Sequence, residues 1–296
     1  MSLFQDENPW LADARRARRR WPGWAAAIAA AVFATAVLMS FRTFGGTMLD
    51  NLAAAFRNLP GVWGDTLAFG VVQCAIFGCF LIAAQIAVVA EGRGLWRRGR
   101  TGPLPSLAIG LAIGAAGYAL SVGAADLAGA ITPGPFSGVT LDAVLFGAAL
   151  VAIQSVAEEA FFRGWLQPIL CVAWGPYAGV GVASALFAGL HIIAGAHGAL
   201  AVANLFLGGV LFGLLAIRTG NLYAAAAAHF AWNWTESGVF GLSEQPTGSL
   251  FRFAFTGTPL WNGGADAMNG SLAMSLVLAV LVAGVGLALR PAARPA

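Results

Sequence analysis

Eight long apolar segments constrain the fold of this chain more than any other feature. Each has about the length that a helix needs to cross a bilayer, roughly 20 mostly apolar residues. The segments are Trp24–Phe41, Leu67–Ala90, Pro105–Ala125, Leu141–Trp174, Pro176–Ala196, Ala199–Ile217, Leu222–Phe240 and Ser271–Leu289. We therefore predict an all-α fold, a polytopic membrane bundle of about eight transmembrane helices.

The composition excludes the soluble and disordered classes. Only 10% of the residues are charged and 59% are hydrophobic, whereas soluble domains carry about 25% charged and 45–50% apolar residues. Disorder requires low hydrophobicity and high charge. The formal net charge of +3 therefore concerns membrane topology, and we expect a lipid bilayer as partner and no nucleic acid.

The arginines predict the orientation of the bundle, because short cytoplasmic loops are enriched in basic residues. With eight spans and a cytoplasmic N-terminus, the arginines of residues 15–20, 93–100, 218 and 290–294 lie inside, and Arg42, Arg57 and Arg252 lie outside. We predict a multi-pass cell-membrane protein with both termini in the cytoplasm. Its parts are an Arg-rich N-terminal segment (1–23), a membrane domain (24–290) with a catalytic core at about 141–240, and a short tail (291–296).

Small residues indicate where helices pack closely. Gly110 with Gly114, and Gly209 with Gly213, form GxxxG pairs, which allow close helix contact. Inside a bundle of this size, we interpret both pairs as internal packing sites. Asn204 in the sixth span is interpreted as a polar packing residue, and His197 as a residue of an interfacial loop.

Ionisable groups inside the apolar segments are the strongest functional signal. Each charge at mid-bilayer costs about 2.5–3.5 kcal/mol on insertion scales, so such residues are few and usually functional. They are concentrated in three segments. The fourth carries Glu158, Glu159 and Arg163, the fifth carries Phe187 and His191, and the seventh carries His229 and Asn233.

The spacing within each group is helical. Glu159 and Arg163 are four residues apart, so they share a helix face and can pair. Glu158 lies about 100° around the helix from Glu159. We therefore expect one structural carboxylate, neutralised by the arginine, and one reactive carboxylate that faces a cavity.

The three groups also match in depth. If the fourth helix continues to Trp174, Glu158 and His191 lie at nearly the same depth in the membrane. His229 and Asn233 then lie within about 5–10 Å of that depth. This predicts one site on a water-containing cavity enclosed by protein. Phe161, Phe162 and Phe187 are candidates for its apolar wall.

The ordered motifs EExxxR, FxxxH and HxxxN resemble the CPBP (ABI) family of intramembrane endopeptidases, which includes the type II CAAX prenyl endopeptidases and bacteriocin-processing proteins. The resemblance covers about Leu141–Phe240, and the Arg218-Thr-Gly-Asn-Leu stretch is also similar to the family. It implies glutamate-type hydrolysis of a peptide bond in a membrane-associated protein or peptide, without a covalent acyl-enzyme and without a cofactor.

Carried over by position, the resemblance assigns a role to each polar residue. Glu158 and His191 would activate water, His229 and Asn233 would stabilise the oxyanion, and Glu159 and Arg163 would support Glu158. The chemistry is reasonable in itself, because a carboxylate suits a general base. Histidine N–H and asparagine amide groups suit an oxyanion site.

Several alternatives stay open at this stage. Zinc could be bound by Glu158, His191 and His229, since a catalytic zinc takes three protein ligands, although no HExxH is present. A serine mechanism would need a nucleophile with a histidine partner, and the only suggestive serine, Ser137, falls in an external loop. The polar residues could instead belong to a transporter or a non-catalytic immunity-type protein. The substrate is open among CAAX-type proteins, leader peptides and C-terminal sorting signals.

Overall fold

The computed structural model describes residues 8–17, 20–59, 63–243 and 247–289. Almost all of its regular structure is helical. The α-helices are α1 (Pro9–Arg15), α2 (Gly23–Phe56), α3 (Trp63–Ala90), α4 (Pro103–Leu127), α5 (Leu141–Glu159), α6 (Gln167–Trp174), α7 (Pro176–Ala194), α8 (Ala199–Thr219), α9 (Tyr223–Trp234), α10 (Pro259–Asn262) and α11 (Leu272–Ala288). Two π-helices, π1 (Ala160–Leu166) and π2 (Thr235–Phe240), and a 3₁₀-helix at Gly264–Gly270 interrupt or join them. The predicted all-α class is confirmed.

Seven helical segments in the described ranges are long and apolar enough to cross a membrane. One of them runs continuously through α5, π1 and α6, Leu141–Trp174, as the depth argument required. The segment predicted at Leu222–Phe240 forms α9 and π2 but is not among the seven. Its α-helical part has only 12 residues, and polar side chains lower its hydropathy. The number eight therefore stays a prediction.

The first membrane helix is longer than its apolar sequence indicates. The apolar segment ends at Phe41, but α2 continues to Phe56 over 34 residues, which is about 51 Å at 1.5 Å per residue. Residues 42–56 contain no proline, and the paired Gly45 and Gly46 do not end the helix. The apolar segment therefore predicts which part of α2 is suited to lipid, and it does not predict where the helix ends.

Helix α9 lies in the centre of the bundle and packs directly on α4. Added Cβ atoms at Gly110 and Gly114 would lie 2.3 Å from the Ala224 oxygen and 2.2 Å from the Ala228 oxygen. The two backbones therefore approach too closely for any side chain at these positions. The second GxxxG pair packs on α6 and α7, which confirms that both pairs are internal packing sites.

One end of the bundle is rich in arginine. There α1 is held by an Asn8 side-chain hydrogen bond to the Ile217 oxygen (2.8 Å) and by an ion pair between Asp13 and Arg97. Glu91, which follows α3, pairs with Arg93 at 2.6 Å. Burial raises the pKa of the Glu91 carboxyl, and the adjacent Arg93 opposes that shift.

The opposite end is closed by the polar segment that follows π2. Strands β1 (Ile131–Thr132) and β2 (Ala254–Phe255) pair antiparallel there. The Asp266 carboxylate accepts hydrogen bonds from the backbone N–H groups of His197 (2.9 Å) and Gly198 (2.8 Å), so the predicted loop position of His197 is confirmed. Asn204 donates to the oxygens of Asn269 and Ser271; it joins α8 to the start of α11, as a packing residue should.

Candidate active site

The polar residues of three helices converge where the α5–π1 junction meets α7 and α9. At this junction, Glu158 and Glu159 end α5, and Arg163 lies in π1. All seven residues of π1 are buried. A π-helix adds a residue to the turn and is frequent at functional sites. Here it lies between the carboxylates and the rest of the membrane helix.

The predicted ion pair between Glu159 and Arg163 is present and fully buried. Arg163 Nη1 lies 2.8 Å from Glu159 Oε1, and neither side chain is exposed. Arg163 Nη2 also donates to the Gly209 oxygen of α8 at 2.9 Å, and the guanidinium lies 4.6 Å from the ring centre of Phe187. The pair therefore links π1 to α7 and α8.

His229 lies between the two carboxylates. Its Nδ1 is 3.0 Å from Glu159 Oε1, and its Nε2 is 3.9 Å from Glu158 Oε2. The expected division of the carboxylates is therefore incomplete, because Glu159 contacts the histidine as well as the arginine. A hydrogen on Nδ1, donated to Glu159, directs Nε2 towards Glu158. The separation of 3.9 Å is longer than a direct hydrogen bond.

Glu158 has the more open carboxylate. Its side chain is 8% exposed, and Oε1 accepts a hydrogen bond from Gln154 Nε2 at 3.3 Å. Oε2 is buried and has no hydrogen-bond partner among the described residues. Gln154 was not among the predicted site residues. Its spacing of one helical turn before Glu158, inside an apolar segment, is the signal that could have found it.

His191 faces the same region from α7. Its Nδ1 lies 2.8 Å from the Phe187 oxygen, so a hydrogen on Nδ1 leaves Nε2 able to accept a proton. No direct hydrogen bond joins His191 to Glu158 among the described residues. Both side chains line one cavity instead.

Two adjacent cavities contain the site. The smaller, about 160 Å³, is mostly apolar and is lined by Glu158, Phe162 and residues of α2, α3 and α7. The larger, about 220 Å³, is lined by His229, Asn233 and polar groups of α8 and π2. Gln154, Phe187 and His191 line both. Since a water occupies about 30 Å³, each cavity has room for several.

The predicted apolar wall is partly wrong. Phe162 and Phe187 line the smaller cavity, but Phe161 does not line either one. Its ring packs against those of Phe33 and Phe80, at centroid distances of 5.6 and 5.2 Å. Consecutive residues of a helix point in directions about 100° apart, so Phe161 and Phe162 cannot both face the cavity.

Asn233 lies one turn beyond His229 and lines the larger cavity. Within the described ranges, no hydrogen bond occupies its side-chain amide, which is therefore free to donate. The ring of Phe212 stacks on that of His229 at 4.8 Å, 16° from parallel, and limits the movement of the imidazole. Among the residues that the structure describes, no group of three or more His, Cys, Asp or Glu side chains could hold a metal ion.

The three motifs lie within one region of family similarity. Residues 140–235 match the family model described as type II CAAX prenyl endopeptidase Rce1-like. The matched region runs from the residue before α5 to the residue after α9, and it contains all six predicted site residues. The predicted resemblance is confirmed, and the Rce1-like match supports a peptide hydrolase of the membrane. No curated protein and no solved structure matches the chain.

Proposed function

We propose that this protein is a glutamate-type intramembrane endopeptidase that cleaves a membrane-associated protein or peptide. One observation carries the proposal. The Glu158 carboxylate forms no ion pair with a described arginine, lines a cavity and lies 3.9 Å from His229, while its neighbour Glu159 is paired with Arg163. This separates a supporting carboxylate from one that is available to water.

Water activation is assigned to Glu158 and His191. A water in the shared cavity would give a proton to the Glu158 carboxylate or to His191 Nε2 as its oxygen attacks the scissile carbonyl carbon. The hydrogen bond from Gln154 to Oε1 orients the carboxylate for this transfer. Collapse of the tetrahedral intermediate breaks the C–N bond, and the same proton passes to the leaving amine.

Oxyanion stabilisation is assigned to His229 and Asn233. Because His229 Nδ1 is directed to Glu159, donation from Nε2 requires a hydrogen on both ring nitrogens. Asn233 supplies its amide N–H from the next turn of α9. Removal of one such donor costs about 2.7–4 kcal/mol of transition-state stabilisation in other enzymes.

The substrate is assigned by class. The smaller cavity, mostly apolar and next to Glu158, suits an apolar side chain beside the scissile bond. CAAX-type proteins, leader peptides and C-terminal sorting signals all provide membrane-associated chains of this kind. We place the protein in the cell membrane with both termini cytoplasmic, since the described arginines of the N-terminal segment and those at residues 93–100 lie at one end of the bundle.

A comparison of membrane proteomes tests this function. Cells with wild-type protein and cells with Glu158→Gln are analysed by mass spectrometry of protein termini, and the purified protein is then tested in liposomes on the uncleaved species. We expect cleavage by the wild type only. The control Asp126→Asn removes an exposed carboxylate of α4 and should keep activity.

Inhibitors and traps separate the chemical alternatives in the same assay. Activity that survives chelators, with no stoichiometric zinc in the active protein, is expected for catalysis without a resident metal. Hydroxylamine should trap no acyl-enzyme. Loss of activity on chelation, restored by zinc, would instead favour the metalloprotease. Solute flux without cleavage would favour a transporter.

A further inference from the structure

Glu236 is a buried acidic residue that the proposed catalytic steps do not use. It lies in π2, three residues after Asn233, with 9% of its surface exposed. Its side chain lines the larger cavity together with Asn233 and Ser237. The cavity therefore continues past the oxyanion donors to a third carboxylate.

No arginine lies beside Glu236 in the described lining of the larger cavity. The ionisable residues of this lining are Glu236, His191 and His229. No described cation forms an ion pair with Glu236. From α4, the fully buried Tyr118 is the titratable group that faces it. A carboxylate so placed favours a ligand that brings a positive charge.

The position of Glu236 along α9 and π2 gives its distance from the reaction. It follows His229 by seven residues, which is about 10 Å at 1.5 Å per residue. An extended peptide advances about 3.3 Å per residue. Glu236 therefore lies about three substrate residues from the scissile bond, towards the end of the cavity lined by Ser243 and Asn269.

We propose that Glu236 is a specificity-determining residue that binds a cationic group, an arginine or lysine side chain or a terminal ammonium, about three residues from the scissile bond. The proposal rests on the proposed peptidase function. It also has a consequence for the substrate class. A CAAX sequence ends three residues after its modified cysteine, so cleavage next to that cysteine would place a free carboxylate near Glu236. The cavity therefore favours an internal bond near a basic residue over release of a C-terminal tripeptide.

Matched peptides test this assignment on the full-length protein in phosphatidylcholine liposomes. One cleaved sequence is made with arginine, citrulline, leucine or glutamate at the third residue on each side of the scissile bond. Citrulline keeps the shape of arginine and removes its charge. On one side of the scissile bond, we expect kcat/KM for the arginine peptide to exceed that for the citrulline peptide by at least about tenfold. The difference should come mainly from a lower KM for the arginine peptide.

The variant Glu236→Gln should reduce this ratio to near one, whereas the control Asp126→Asn should keep it. If Glu236→Gln does not fold, the comparison of the arginine and citrulline peptides with wild-type protein still tests whether the site prefers a positive charge. Equal kcat/KM for the two peptides, a preference for glutamate, or an unchanged ratio in Glu236→Gln would overturn the inference. Absence of cleavage of every peptide by wild-type protein, including the sequence identified in cells, would instead overturn the proposed function.

Discussion

At the scale of single residues, His229 connects the parts of the site that the sequence presents as separate motifs. Its Nδ1 lies 3.0 Å from Glu159, and its Nε2 lies 3.9 Å from Glu158. The contact with Glu159 determines which ring nitrogen faces the cavity. Substitution of Glu159 should therefore affect catalysis as well as packing.

The Glu159–Arg163 pair should be a large contributor to stability. Arg163→Ala leaves Glu159 as a buried charge with no arginine, and breaking such a pair costs about 3–5 kcal/mol. We expect a marked fall in melting temperature in detergent, together with loss of activity. Arg57→Ala, at an exposed arginine, is the control. Equal melting of Arg163→Ala and wild type would contradict the role assigned to the pair.

Gln154 should contribute to the rate through Glu158. Gln154→Leu keeps the approximate size and removes the hydrogen bond to Oε1. A hydrogen bond to a charged group contributes about 1.5–3 kcal/mol, so we expect kcat to fall by about 10- to 100-fold. The matched control is Gln85→Leu, at an exposed position of α3. Wild-type kcat in Gln154→Leu would show that Glu158 is positioned by other contacts.

At the scale of elements, the close contact of α4 with α9 positions His229 and Asn233. A Cβ at Gly114 would overlap the Ala228 oxygen, and backbone oxygen cannot move aside as a side chain does. Gly114→Ala should therefore separate the helices, lower stability by about 1–3 kcal/mol and reduce activity.

Gly123→Ala is the matched control for this prediction. It lies on the same helix, and a Cβ there meets no atom within 4 Å. Because alanine favours helix more than glycine does, this variant should be as stable as wild type or more so. If both variants melt and cleave alike, the contact of α4 with α9 does not position the site.

The site could be predicted from sequence only where helical periodicity determines it. The i,i+4 spacing was sufficient for the Glu159–Arg163 pair, and hydropathy was sufficient for the membrane class. Neither the i,i+4 spacing nor the hydropathy indicates a π-helix, because one extra residue in a turn does not change the pattern of an apolar sequence. The contact of His229 with both carboxylates depends on the packing of α9 between helices distant in sequence. Glu236 was missed although it lies inside the predicted segment Leu222–Phe240, where a search for ionisable residues could have found it.

At the scale of the whole molecule, the two ends of the bundle differ in charge and in construction. One end holds α1 and the arginine-rich segments, and the other is closed by β1, β2 and the segment that contains Asp266. From the positive-inside rule, we predict that the arginine-rich end lies in the cytoplasm. The larger cavity, lined by Ser243 and Asn269, then extends towards the outer face.

Cysteine labelling in intact cells tests this orientation. In a variant without native cysteines, we expect a membrane-impermeant maleimide to label Thr256→Cys and not Arg98→Cys. Both positions should react after the cells are permeabilised, which controls for local accessibility. Labelling of Arg98→Cys alone in intact cells would reverse the topology and place the larger cavity towards the cytoplasm.

We propose that Glu158 activates water for peptide-bond hydrolysis, and the decisive measurement is the rate of cleavage by Glu158→Gln in liposomes. Loss of the general base should lower kcat by at least about 10²-fold. Melting temperature and membrane insertion should stay near those of wild type and of the control Asp126→Asn, since no arginine of the described ranges pairs with Glu158. Cleavage by Glu158→Gln at the wild-type rate would contradict the glutamate mechanism.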